Sequence, residues 1–87
     1  MKLPIRLFGA FRKYADGSEL ELELPEECNL ASLKKALAAH LAELDPNFSD
    51  HALILDSAFA DEKNILTEQD MIVRGTKLAI LPPVCGG

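Results

Sequence analysis

The stretch Glu19-Leu20-Glu21-Leu22-Glu23-Leu24-Pro25 alternates glutamate and leucine without a break, and from Asn29 onwards the spacing of the leucines changes. Side chains of an extended chain point to opposite faces in turn, so the alternation predicts a strand over 19–24 with leucines on the core and glutamates in water. Pro25 has no N–H to offer a ladder and closes it. The row of glutamates also repels a second copy of the same strand, which suits a sheet edge. Beyond it, Leu30, Leu33, Leu37, Leu41 and Leu44 recur at helical spacing, with Ala36 and Ala38 near the seam and Lys34, Lys35 and Glu43 opposite. Asn29 is a favoured N-cap, and Asp45-Pro46 ends the segment because proline disfavours helical dihedrals in the residue before it. The expectation is an amphipathic helix of about four turns.

Working outward, residues 3–9 read as a first strand, with Leu3, Ile5 and Leu7 on one face and Arg6 on the other. Pro4 belongs near the beginning of that strand or on an unpaired side. Residues 10–17 lose the alternation; Phe11 and Tyr14 suit a short helical turn over the end of the sheet, and Asp16-Gly17-Ser18 is a turn signal. After the helix, 46–50 reads as loop, with Phe48 folding back on the core. Residues 52–55 read as a third strand, Asp56-Ser57 as a turn and 58–60 as a short partner. Residues 65–73 carry no single period: Ile65 and Leu66 look buried, 68–70 look exposed, and 71–73 has room for a short strand. Gly75-Thr76 marks a turn, and 77–81 is a strand apolar on both faces, which belongs in the middle of a sheet.

A hairpin, a helix across it and a strand returned parallel to the first describe an α+β domain of the β-grasp (ubiquitin-like) kind. It has a mixed sheet of about four to five strands with one main helix packed across it. A ferredoxin-like fold needs a second helix of comparable strength, and the sequence offers none.

At 87 residues the chain is expected to be one domain over 1–81, with residues 82–87 as a flexible tail. Its hydrophobic content of 48% is ordinary for a globular protein, and no apolar run approaches membrane-spanning length. The expectation is a cytoplasmic protein with no membrane partner. A formal charge of -5 argues against nucleic acid, whose phosphates demand a basic surface, and favours basic patches on proteins. Cys28 and Cys85 are too few for a disulfide framework, and no metal-ligand spacing is present. Cys28, just before the helix, suits a small buried filler. His40, on the helix, and His51, in a loop, stand in no catalytic motif, and solvated or capping roles suit them.

The chain ends Pro82-Pro83-Val84-Cys85-Gly86-Gly87. Proline fixes φ and donates no hydrogen bond, so a strand arriving at Leu81 must leave the sheet here. Gly86 and Gly87 have no Cβ, so this end can thread a narrow channel. Six extended residues reach about 20 Å, enough to carry the terminal carboxylate into another protein's active site. Cys85 has two readings: a thiol that exchanges with a donor persulfide, or simply one small side chain among those the position accepts.

These residues carry a resemblance. Leu78-Ala79-Ile80-Leu81 followed by Pro82-Pro83-Val84-Cys85-Gly86-Gly87 resembles the terminus of the small subunit of molybdopterin synthase, in the MoaD/ThiS family of ubiquitin-like sulfur carriers. Leu7-Phe8-Gly9-Ala10 with Phe11-Arg12-Lys13-Tyr14 is similar to that family's first strand and following loop. The resemblance implies a non-catalytic sulfur-carrier subunit of a sulfurtransferase complex. It binds no cofactor itself; an E1-like adenylating enzyme uses ATP to activate the Gly87 carboxylate, and a persulfide donor converts it to a thiocarboxylate. The tail (Pro82, Pro83, Val84, Cys85, Gly86) then threads into the large subunit, in a heterotetramer, to supply the dithiolene sulfur of molybdopterin. Carriers for thiazole and thiamine, tRNA thiolation or cysteine share the Gly-Gly end, as do ubiquitin-like protein modifiers; a plain ubiquitin-like interaction module is the third alternative.

Overall fold

In the computed structural model, which describes residues 1–14, 19–49 and 51–83, the first alternating segment forms strand β1 (Lys2–Leu7), antiparallel to β2 (Glu19–Glu23). Leu3, Ile5, Leu7 and Leu22 turn to one side and are buried, while Arg6, Glu19, Glu21 and Glu23 are exposed on the other. Met1 and Leu24 exchange both main-chain bonds, at 2.6 and 2.7 Å. Bonded and non-bonded pairs alternate along such a ladder, so Pro4, opposite Glu21, falls in a non-bonded pair where its missing N–H takes nothing from β2.

Among the described residues the main sheet runs in the order β2, β1, β6 (Leu78–Leu81), β4 (Ala58–Ala60). Strand β6 is parallel to β1 and antiparallel to β4. The strand apolar on both faces is therefore central, and the glutamate strand is an edge, as the patterning predicts. Helix α1 (Leu30–Leu44) follows the hairpin and buries Leu30, Leu33, Leu37 and Leu41 in the shared core. Each of those leucines contributes roughly 1.5–3 kcal/mol relative to an exposed position.

Both ends of α1 follow from local chemistry. The Asn29 side-chain oxygen accepts from the Ser32 N–H at 2.9 Å, satisfying one of the orphan donors of the first turn. At the other end Asp45 is extended (φ -135, ψ 102), as a residue before proline must be, and its N–H donates to the Leu41 carbonyl at 2.9 Å. Replacing Asn29 by Ala is expected to lower stability by about 1 kcal/mol. A urea titration would show it as a lower midpoint at constant slope, and Asn29→Asp should retain most of the native stability.

Four expectations need correction. Residues 52–55 are helical, not a strand: they lie in α2 (His51–Asp56). An apolar run this short fits either period, and both flanks of β6 are already taken by β1 and β4, so no central position is left for it. Ile54 points into the core instead, and the Ser57 hydroxyl donates to the Leu53 carbonyl at 2.6 Å, closing the turn. Residues 58–60 accordingly pair with β6 rather than with 52–55.

Ile65 is the second, at 55% exposure, whereas Leu66 is buried. The Leu66 N–H reaches the Phe59 carbonyl at 2.7 Å, and in this hairpin only alternate residues can face the core. The 61–64 turn is tied by the Asp61 carboxylate, which accepts from the Asn64 and Lys63 N–H groups at 2.7 and 2.8 Å. Those two bonds, Asn64 first, hold the Asp61 carboxyl below its ordinary range.

The third is Leu44, which is half exposed because the leucine stripe runs out with the last residue of α1. The fourth is the N-terminal strand, which stops at Leu7; Gly9 takes a positive φ of 58° and starts a 3-10 helix over Gly9–Tyr14. Phe11 in that turn is fully buried, as its spacing with Tyr14 suggests, and Tyr14 meets Phe48 edge-on at 5.8 Å. Strand β3 (Cys28–Asn29) pairs with β5 (Met71–Ile72), joining the start of α1 to the short strand for which 71–73 had room. The Asp16-Gly17-Ser18 turn lies outside the described residues.

Candidate functional site

Strand β6 delivers the tail, and what flanks it decides where the tail begins. Leu7 pairs with Ile80 on one side, and Phe59 and Ala58 pair with Ile80 and Leu81 on the other, so β6 is held on both edges up to Ile80 and by β4 alone at Leu81. Pro82, half-buried, and Pro83, exposed, follow it out of the ladder. The remaining residues of the expected site, Val84, Cys85, Gly86 and Gly87, lie outside the described residues.

Pro82 lies against the loop that leaves β1. A Cβ placed on Gly9 would stand 2.8 Å from Pro82 Cγ, closer than real Cβ contacts come. Next to it Phe8 is 38% exposed, with the Arg6 guanidinium 5.8 Å from its ring centroid. On the solvent face of the sheet around this root Ala58 lies beside Leu81, Ala60 beside Ala79, and Ala79 beside the exposed Arg6. The contact of Gly9 with Pro82 joins residues far apart in the chain, and no local signal carries it.

The other residues singled out from sequence stand elsewhere. His51 is the first residue of α2, exposed, with its ring 5.0 Å from that of Phe48, and His40 is half-buried on α1. Among the described residues no group of three or more His, Cys, Asp or Glu side chains is arranged to hold a metal ion. A groove of about 400 Å³ runs between α1 and α2, floored by Leu30, Ala38 and Ile54 and rimmed by Lys34, Lys35 and Glu68. No helix of the described residues is long and apolar enough to cross a membrane.

Cys28 is a core residue at 0% exposure, as expected for a small filler, with Sγ 3.5 Å from the Asn29 carbonyl oxygen. Burial disfavours the thiolate and raises its pKa above the ordinary 9.0. The folded state then holds its proton more tightly than the unfolded chain, so this stability is present below the ordinary thiol range and lost as pH rises through and beyond it. In a Cys85→Ser background, Cys28 is expected to react with a thiol reagent at neutral pH no faster than the domain opens. Prompt labelling of the folded protein would contradict its burial.

A mixed sheet wrapped on one main helix, with its central strand running out through paired prolines, is a β-grasp domain of the ubiquitin-like class. The chain belongs to the ThiS family, whose family model matches residues 5–87, and is thus of the ThiS/MoaD ubiquitin-like sulfur-carrier type. Among solved structures it is similar to SAMP1 from Haloferax volcanii (TM-score 0.69, 19% identity, all of both chains covered). It is also similar to a Pyrococcus furiosus protein assigned as molybdopterin converting factor, subunit 1 (TM-score 0.65, 22% identity, 95% of this chain and 98% of that one). A third likeness is to a complex of subunits 1 and 2 of molybdopterin-converting factor from Helicobacter pylori 26695 (TM-score 0.56, 20% identity, 100% of both chains). At these identities the likeness is one of fold. No curated protein shows a significant match to the chain.

Proposed function

We propose that this chain carries sulfur as a thiocarboxylate on Gly87 and delivers it, as the small subunit of molybdopterin synthase, to the dithiolene of molybdopterin. The observation that carries the reading is the central strand β6, flanked by β1 and β4 and ending at Leu81, directly before the sequence Pro82-Pro83-Val84-Cys85-Gly86-Gly87. The family match through residue 87 supports a working terminus, and the subunit 1 and 2 complex supports a large-subunit partner.

A carboxylate is a poor electrophile. An E1-like partner therefore joins the Gly87 carboxylate to AMP from ATP, releasing pyrophosphate, and a sulfur nucleophile displaces AMP at the carbonyl carbon. When the nucleophile is a persulfide, thiol cleavage of the resulting acyl persulfide leaves the thiocarboxylate. The adenylating enzyme and the large subunit supply charge neutralisation and positioning, and the carrier supplies an unencumbered end. Pro82, Pro83, Val84, Cys85 and Gly86 are then the strap that reaches the partner's site.

Intact mass after incubation with ATP, sulfide and an E1-like adenylating enzyme tests the chemistry. An oxygen-for-sulfur exchange confined to Gly87 is expected, and Cys85→Ser should load equally. A mass unchanged with every such enzyme tried, or lysine-linked conjugates instead of the exchange, would refute the carrier reading. Adding the large subunit and the sulfur-free pterin precursor tests the pathway: a loaded carrier that forms no dithiolene there serves another acceptor.

A further inference from the structure

Gly9 and Pro82 meet at a place where neither can give way. Gly9 lies between Leu7 and Phe11, both fully buried, and Leu7 is in register with Ile80. Pro82 immediately follows Leu81, which is held against Ala58 of β4. A flexible side chain would swing aside from an intruding Cβ at little cost, but the pyrrolidine ring closes onto its own backbone nitrogen. Relieving a 2.8 Å approach to Cγ therefore displaces the main chain at the point where it leaves the sheet. The same residue has φ +58°, so glycine is favoured twice: by dihedral angle and by space.

We infer that Gly9 is a positioning residue for the tail: its bare Cα is the seat on which the Pro82 ring rests, and this seat sets the direction in which the chain leaves the domain. The inference rests on the carrier reading for its functional consequence and on the contact alone for its structural one. A tail aimed from a fixed root enters a partner's channel without a search. Misplacing a reacting group by about 1 Å can cost 10²-fold in rate.

Two controls separate space from dihedral strain. Gly75 also has a positive φ, of 90°, but a Cβ there would meet nothing within 4 Å, so Gly75→Ala strains the backbone without touching the tail. Asn tolerates the left-handed region better than Ala yet still brings a Cβ, so Gly9→Asn keeps the steric effect with less strain. The structural readout is the set of Cα–Hα residual dipolar couplings of Pro82 and Pro83. The functional readout is kcat/KM for loading by an adenylating enzyme that charges the native chain.

Gly9→Ala and Gly9→Asn should both change the proline couplings and lower kcat/KM by about 10- to 100-fold. Gly75→Ala should lower stability alone, with the proline couplings and the loading left as in the native chain. Unchanged couplings in both Gly9 variants overturn the seat whatever the enzymes do. Changed couplings with loading as fast as native overturn the positioning role while leaving the carrier reading intact. A native chain that cannot be loaded at all removes the carrier reading, and the couplings still decide the contact.

Discussion

Removing Gly86 and Gly87 is expected to abolish sulfur loading while leaving the unfolding midpoint unchanged. The two halves of that result have different causes. Among the described residues the buried core runs from Leu3 to Ile80, and the two glycines to be deleted carry no side chain that could add to it. The reaction, by contrast, loses the carboxylate that the partner positions, and positioning a reactant is worth several powers of ten, so loading should fall by about 10³-fold or more. Adding one alanine after Gly87 should do nearly as much harm, because it moves the reacting carbon by one residue and gives it a Cβ. Normal loading of the extended chain, read by intact mass, would mean that the working atom is not where the carrier reading puts it.

Phe59→Ala should cost about 3–5 kcal/mol, the usual range for truncating a buried aromatic. A domain of 87 residues has only roughly 4–13 kcal/mol in all, so this variant is expected to be largely unfolded or close to it at 37 °C. The size of the effect follows from position: Phe59 is 1% exposed, lies in register with Ile80 of β6, and its carbonyl anchors Leu66. Leu55→Ala is the matched control. Leu55 is 63% exposed on α2, and its truncation should stay within about 0.5 kcal/mol. Urea titrations at constant slope would separate the two, and a Phe59→Ala loss below 1 kcal/mol would contradict its burial. Because β4 holds one edge of β6, a folded but weakened Phe59→Leu should also loosen the root of the tail.

The apolar lining of the sheet and helix was legible because it is written in long repeats. Leucine against glutamate over 19–24 admits only a half-buried strand, and slipping it by one residue would turn every leucine to water. The leucine stripe from Leu30 to Leu41, capped by Asn29 and stopped before Pro46, admits only a helix. Apolar side chains on both faces of residues 78–81 place that strand inside a sheet. Such signals survive folding because each one is repeated several times over, and the break in the ladder after Leu81 is written in Pro82-Pro83, which cannot donate to it.

The short segments carry no such repeat, and there the neighbours decided. Residues 52–55 became helix because both flanks of β6 were occupied by β1 and β4, and Ile54 found the core as readily from α2. Ile65 and Leu66, equally apolar, parted company because a hairpin sends successive side chains to opposite sides. The meeting of Gly9 with Pro82 joins two distant stretches through a close backbone approach, which only packing creates. Sequence alone therefore determined the elements long enough to state their own period, and it supplied the terminus on which the proposed carrier chemistry rests. Tertiary structure decided which way each short apolar run faces and from what seat the tail departs, since those depend on which edges and cavities the longer elements leave open.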